Sequence, residues 1–575
     1  MDLSQYTPET WIKNEETLMN NLQNSSWKSI PILNYVDLNA LKDGQLVRFI
    51  GMVQDMRNPE YYIESYITIN KETNEKTVMS AKYKEFIEYQ NFNDIQERDT
   101  VRKELQTFYV ISVPAENEWV RAMEAELFQI PTMANSQGNV SHKRSLEEES
   151  AMDTQEDLEN TDLSNPQKRQ CSNSSESNGN EIPKTTISNE HLLNFPLEDK
   201  NGKSCLVKVY TNQDQIKLNN IYEFIGFLSI DPKLSHECVP ESEKNLEMEM
   251  HNPPPSLIPR LHSLSFRKLK HNNPLVQNIE IDSHQFNDVR KDVMIVLSQL
   301  LFGDEIAAEY LLCHLISEVY VRADHMALGK FSLNLSNIPI LGNVNFVEKL
   351  YEFIQLLVPK SHYLPFTLEN MNTLTFIPKK DYDSDRLNSG LLQLSANTVV
   401  VVDETKLEPG KLDTAGLEAV KAIANIIRNQ RLSYDFNYYP VEFDYDIPFL
   451  VASEGKSMLP SDCHVVLKPD NGHLETFNEI IEAAKFFLKP ELLNKIRKYL
   501  TLCRFVPYNI DDNVHVLIQN KFVEMRQQGA TPDDLHNLLV LNRLICLSYG
   551  KSTLDSESWD IACKLEQKRK ERLTK

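Results

Sequence analysis

Nowhere in the 575 residues is there a Gly-x-x-x-x-Gly-Lys-Ser/Thr loop. In that loop the first glycine opens the turn, backbone N–H groups cradle phosphates, the lysine reaches the terminal ones and the hydroxyl holds Mg²⁺. Three Gly-Lys-Ser tripeptides occur, Gly202-Lys203-Ser204, Gly455-Lys456-Ser457 and Gly550-Lys551-Ser552, but the positions five before their glycines are Leu197, Leu450 and Ile545. None of the three can form the loop. Long apolar runs are also missing, since none approaches the ~18 residues a membrane helix needs. The start, Met1-Asp2-Leu3-Ser4-Gln5-Tyr6, has neither the basic nor the apolar region of a signal peptide. These absences predict a soluble chain that begins in the cytosol and has no membrane partner. The eight cysteines (Cys171, Cys205, Cys238, Cys313, Cys463, Cys503, Cys546 and Cys563) include no Cys-x-x-Cys pair and no Cys/His cluster at zinc spacing. Reduced, mostly buried thiols and no metal are expected. Positive charge is short as well, with a net charge of -23. That disfavours gripping nucleic acid as the main role, because phosphate binding depends on lysines and arginines. Protein partners are the better expectation.

What is present, with 41% apolar residues, predicts roughly three or four domains. From about Met133 to Asn189 apolar residues nearly vanish among Ser, Asn, Glu, Asp and Gln, so residues 133–190 read as a disordered acidic and polar linker. Two basic clusters inside it, around Lys143 and Arg144 and around Lys168 and Arg169, are candidates for nuclear import. On either side of the linker there is an internal echo. Lys42-Asp43-Gly44-Gln45-Leu46-Val47-Arg48-Phe49-Ile50-Gly51 aligns without gaps with Lys217-Leu218-Asn219-Asn220-Ile221-Tyr222-Glu223-Phe224-Ile225-Gly226. Each is a turn, then a strand ending in Phe-Ile-Gly, where glycine permits the sharp bend of a small closed barrel of the OB type. This predicts an OB-like region at 1–132 and a second at 191–281, as two barrels or as pieces of one composite unit. Phe49, Phe108, Tyr109 and Phe224 read better as barrel core than as stacking platforms for single-stranded nucleic acid.

Past residue 282 the pattern alternates as a three-layer α/β domain does. Gly303 closes one helix and Asp304 caps the next, Glu305 to Val321. Then follow strand Phe331–Leu335, helix Phe346–Leu357, strand Thr373–Ile377, strand Thr398–Val402, helix Leu417–Ile427 and strand Pro448–Ser453, with an aromatic, acidic hairpin at Tyr434–Asp446. The Val-rich run ends in Asp403-Glu404. It reads either as a plain core strand or as a Walker B-like strand presenting one acid to Mg²⁺ and one to a catalytic water. Where its phosphate loop should lie there is only Ser336-Asn337-Ile338-Pro339-Ile340-Leu341-Gly342-Asn343-Val344, without a lysine. An ATPase-like domain that has lost its chemistry, with no catalytic residues and no cofactor, is therefore expected. From Thr476 onward helices return, ending in the basic Lys568-Arg569-Lys570-Glu571-Arg572, which reads as a solvated helix end.

This order of pieces resembles the minichromosome maintenance (MCM) helicases, and several stretches resemble the MCM-binding family more closely. They include Asn194-Phe195-Pro196-Leu197, Leu387-Asn388-Ser389-Gly390-Leu391-Leu392-Gln393-Leu394, Val402-Asp403-Glu404-Thr405 and Ser453-Glu454-Gly455-Lys456-Ser457. The resemblance implies a multidomain α/β plus β fold: OB-like β-barrel elements interrupted by the disordered insert, a degenerate MCM-like AAA+ core at 282–475 and a helical region at 476–575. It also implies a nuclear, non-catalytic regulator of DNA replication that binds MCM helicase subunits. Such a regulator assists assembly and disassembly of MCM complexes from chromatin, to which it is tied indirectly, and sister-chromatid cohesion. The arginines of MCM helicases would fall near Pro460-Ser461-Asp462-Cys463 and near Asp533, where this chain has acids. Beside a triphosphate an acid turns attraction into repulsion of about 1 to 4 kcal/mol at ~4 Å. A divergent ATPase using Asp403 and Glu404, and an OB-type single-strand binder, are the alternatives.

Overall fold

The structure, a computed structural model, describes residues 5–24, 27–69, 76–85, 100–127, 188–199, 201–231, 252–277, 283–323, 326–342, 344–510, 512–527 and 529–573. Lys143, Arg144, Lys168 and Arg169, with most of the 133–190 linker, lie outside the described residues.

Seven strands form one sheet: β1 (Leu46–Met56), β2 (Glu60–Ile69), β3 (Lys76–Ser80), β4 (Val101–Ile111), β5 (Ser204–Val209), β6 (Ile221–Ser229) and β7 (Arg260–Lys268). Their order is β1-β6-β7-β5-β4-β2-β3, and β1 also pairs with β4, so five of the strands close on themselves while β2 and β3 extend from β4 as an arm. The two echoed segments pair with each other, antiparallel, with Phe49 opposite Phe224. Strands β1 and β4 from 1–132 and strands β5, β6 and β7 from 191–281 thus complete a single closed sheet. The echoed glycines explain the tight closure. A Cβ on Gly51 would stand 2.4 Å from the Ile111 carbonyl oxygen, and one on Gly226 2.1 Å from that of His262. Phe49, Phe108 and Phe224 fill the interior. Across the seam between the two halves, buried Arg48 donates to the Glu223 carboxylate at 2.7 Å, whose second oxygen accepts from Arg267 at 2.6 Å. Burying these charges is tolerable only because they are paired.

Eleven further strands follow in the central region: β8 (Val321–Ala323), β9 (Met326–Leu328), β10 (Leu333–Ser336), β11 (Ser361–Pro365), β12 (Lys379–Asp381), β13 (Arg386–Asn388), β14 (Val399–Asp403), β15 (Arg431–Asp435), β16 (Pro440–Asp444), β17 (Phe449–Ala452) and β18 (Cys463–Val466). Five build a parallel sheet in the order β11-β14-β17-β10-β18, and four a smaller sheet, β13-β12-β15-β16. The valines of β14 show why its run is unbroken. Val399 and Val401 enter the core containing helix Phe346–Leu357, whereas Val400 and Val402 enter the one containing helix Thr414–Asn429. A parallel strand covered on both faces needs apolar residues at every position. The helices Phe477–Phe487, Pro490–Leu502, Pro532–Ser548 and Ser556–Leu573 contribute to the first of these cores.

Three local expectations are corrected. Thr373–Ile377 is not a strand: Thr367 accepts from the Asn370 amide and starts a helix, Leu368–Thr373, while the strand lies earlier at Ser361–Pro365. The helix capped by Asp304 stops at Ile316, not Val321. The basic end is not simply solvated. Arg572 donates to both oxygens of Asp304 at 2.6 and 2.9 Å, and Arg569 donates to the His464 carbonyl at 2.8 Å.

The barrel is fastened to the central region through polar contacts. Asn194, held in the left-handed conformation, donates to the Leu387 carbonyl at 2.8 Å and accepts from the Ser389 amide at 2.9 Å. Gln393 donates to the Gln54 carbonyl at 2.9 Å, and Tyr434 to the Asn219 side chain at 2.9 Å. On another side the Ser361 amide donates to Ala115, the Trp119 indole donates to the Val358 carbonyl, and the Arg497 guanidinium lies 4.1 Å from the Trp119 ring centre.

Candidate functional site

Ligands of open α/β sheets bind beyond the carboxyl ends of the parallel strands. Here those ends bring Asp403, Glu404, the loop after β10 and the loop after β17 together. Asp403 is fully buried. One carboxylate oxygen accepts from the Thr405 amide at 3.0 Å and the Thr405 hydroxyl at 2.5 Å; the other accepts from the Tyr363 hydroxyl at 2.6 Å and the Asn345 amide group at 3.2 Å. Burial, and then the Asp403 charge, push the Tyr363 hydroxyl well above its ordinary pKa, so it stays a donor. Glu404 accepts from the Ser457 hydroxyl at 2.8 Å and the Met458 amide at 3.2 Å, and burial raises its pKa.

The groups that would hold phosphates and their metal are engaged by the protein itself. Asn345 caps helix Phe346–Leu357 by accepting from the Val347 and Glu348 amides, the donors an anion would use. The loop after β10 is tied to the end of the neighbouring strand β17, with the Asn337 amide on the Glu454 carbonyl at 3.2 Å and the Ile338 amide on the Ser453 carbonyl at 3.4 Å. Ile338 is buried there. These residues do not fit a nucleotide with Mg²⁺: the carboxylate that would face the metal is occupied by protein donors, and the lysine is missing.

None of the Gly-Lys-Ser tripeptides forms a phosphate loop. Lys203 donates to the Leu33 and Val36 carbonyls, Lys551 to Asp555 at 2.8 Å, and Lys456 is exposed while its neighbour Ser457 holds Glu404. Asp462 binds Lys330 and both the amide and hydroxyl of Ser332, and Asp533 sits in the first turn of helix Pro532–Ser548. Phe49, Phe108, Tyr109 and Phe224 are all buried, Tyr109 donating to backbone carbonyls at Leu192 and Leu193, so these rings are not displayed for stacking. Sequence reasoning missed Asn345 and Tyr363, 58 and 40 residues from Asp403. Among the described residues no group of three or more His, Cys, Asp or Glu is placed to hold a metal ion. No helix among them is long and apolar enough to cross a membrane.

A parallel α/β core whose carboxyl-end acids are held by protein donors, joined to a five-stranded closed sheet, is the class that the geometry defines. The chain matches the family model described as mini-chromosome maintenance replisome factor over residues 16–573. It is 39% identical over 566 residues to the mini-chromosome maintenance complex-binding protein of Drosophila melanogaster, covering 96% of this chain and 93% of that protein. The proteins of the same name from Mus musculus and Homo sapiens are 40% and 39% identical over 601 and 599 residues, each alignment covering 96% of this chain and 92% of the relative. The chain belongs to the MCM-binding family.

Proposed function

We propose that this chain is a non-catalytic regulator of DNA replication that binds MCM subunits through an MCM-like shape and assists the assembly of MCM complexes and their removal from chromatin, with a consequent part in sister-chromatid cohesion. The observation that carries the non-catalytic reading is the saturation of Asp403 by Asn345, Tyr363 and Thr405. The binding reading rests on the family. The closed barrel supports an OB-like assignment. The parallel sheet, with its acidic pair at a carboxyl end and a short capping loop in place of a phosphate loop, supports a degenerate AAA+ core. Ring interfaces of AAA+ proteins are heterologous, so a pseudo-subunit presents a docking face without completing catalysis on the other side. Nuclear localisation belongs to the same proposal and rests on Lys143, Arg144, Lys168 and Arg169.

The test is size-exclusion co-migration of the full-length chain with individual MCM subunits and with the intact hexamer, with and without ATP. A stable complex with a subset of subunits, in place of one ring member, is expected. No association in any nucleotide state contradicts the docking mechanism. Loss of nuclear accumulation on replacing the four basic residues by alanine checks the localisation.

A further inference from the structure

Where the barrel, the helix Glu118–Leu127 and the central region meet, there is an open groove of about 530 Å³. That is within the roughly 300–1,000 Å³ of pockets that bury a ligand, and such pockets favour domain seams. Part of its lining is apolar, with Phe195, Pro196 and Leu374, the last 41% exposed. Part is acidic, with Glu116, Glu118, Glu198 and Asp199. Arg121 is the one arginine or lysine among the groove residues, and its charge is already spent. It binds Asp199 through two contacts of 3.0 and 2.5 Å and lies 3.6 Å from Glu116. His362, on the same lining, is held neutral by burial, with its pKa lowered to about 4. Glu118 and Glu198 are exposed, and among the described residues that line the groove no second lysine or arginine stands with them.

The walls are preorganised. Asn272 donates to Glu116 at 3.0 Å, Ser361 donates to the Asn117 side chain at 3.0 Å, and Pro196 restricts its own backbone. A rigid groove loses little entropy on binding. An apolar lining beside exposed carboxylates complements a segment that brings an apolar side chain next to positive charge.

We propose that this groove docks a short segment of an MCM subunit that sets an apolar side chain against the lining residues Phe195, Pro196 and Leu374 and carries lysine or arginine beside it. The proposal rests on the MCM-binding reading above and names the site for it. Because the groove draws on both the barrel and the central region, its shape depends on their being fastened together.

The experiment measures affinity of the full-length chain for whichever purified MCM subunit co-migrates with it, at low and high salt. Three variants are compared with wild type: Leu374→Lys, Glu118→Gln with Glu198→Gln, and as a charge control Glu475→Gln with Glu479→Gln, whose positions line no part of the groove. Leu374→Lys should weaken binding by about tenfold or more. The Glu118/Glu198 pair should weaken it about fivefold and flatten the salt dependence, while the control stays within about twofold of wild type. Binding that Leu374→Lys and the Glu118/Glu198 pair leave at the wild-type level overturns the groove but not the proposed MCM-binding function; a wild-type chain that binds no MCM subunit overturns that function, and the groove proposal with it. A photo-crosslinker at exposed Gln355 gives a readout independent of variant folding. Capture of an MCM peptide with an apolar residue flanked by lysine or arginine supports the site. Capture of this chain's own 128–187 segment, or of no MCM peptide in a complex that has formed, overturns it.

Discussion

Replacing Asp403 by asparagine separates a structural acid from a catalytic one through the sign of a stability change. In a working Mg²⁺ site the acid is held for function and its neutralisation tends to stabilise the fold, because such sites carry unfavourable electrostatics. Here the buried carboxylate accepts four hydrogen bonds, two from Thr405 and one each from Tyr363 and Asn345. An asparagine oxygen can keep the Thr405 pair. Its NH₂ then faces the Tyr363 hydroxyl, which can turn and accept, and the Asn345 amide group, which is a donor and cannot. The loss is at least one charge-assisted bond, about 1.5–3 kcal/mol, and Asp403→Ala, which strands all the donors, costs about 3 kcal/mol or more. Urea denaturation of the full-length chain, with hydrogen exchange of the peptide spanning 398–406, measures this directly. Unchanged or increased stability of Asp403→Asn would refute the reasoning, and accompanying loss of Mg²⁺-dependent nucleotide binding would show the site to be functional after all.

Other consequences follow from the barrel and the central region. Gly226→Ala should destabilise by about 1–3 kcal/mol or more, since its Cβ would fall 2.1 Å from a backbone oxygen that cannot step aside; a thermal midpoint matching wild type contradicts the closure described. Glu223→Ala removes the carboxylate that pairs with buried Arg48 and should cost about 3–5 kcal/mol, read from the urea midpoint. Lys360, buried and donating to Ser395 at 2.8 Å and the Ala396 carbonyl at 2.5 Å, has its pKa lowered to about 7 by burial, with Arg504 adding to the effect. Between pH 7 and about 10 the unfolded chain holds that proton and the folded chain does not, so this group makes stability rise with pH. Lys360→Met should remove the rise, and its advantage over wild type should shrink from pH 7 to 10; a pH-independent difference would show Lys360 to be charged in the fold.

Local signals carried much of this architecture. Helix Phe346–Leu357 has the bounds its periodicity predicts because Asn345 caps it, and Phe-Ile-Gly marks two strands that do lie in a closed sheet. Nothing local says that those two strands pair with each other across more than 150 intervening residues, because pairing is decided by the whole closed sheet rather than by either strand. Strand β11, Ser-His-Tyr-Leu-Pro, is poor in β-branched residues, so propensity overlooked it and favoured Thr373–Ile377, which instead holds the last residue of the helix capped by Thr367 and the irregular stretch after it. The acidic pair was legible from the valine run. Its partners were not, since Asn345 and Tyr363 reach Asp403 only once the parallel strands are stacked. Arg572 illustrates the same limit: a basic chain end looks solvated until the fold sets it against the Asp304 cap.

The central claim is that this chain acts by binding and that its acidic pair does no chemistry. Single-turnover ATP hydrolysis and MCM-subunit affinity, measured in parallel on the wild-type chain and on Glu404→Gln, test it most directly, because glutamine can still accept from Ser457 and Met458. The account predicts no hydrolysis by either chain and the same affinity for both. Hydrolysis by the wild-type chain that disappears in Glu404→Gln would contradict it.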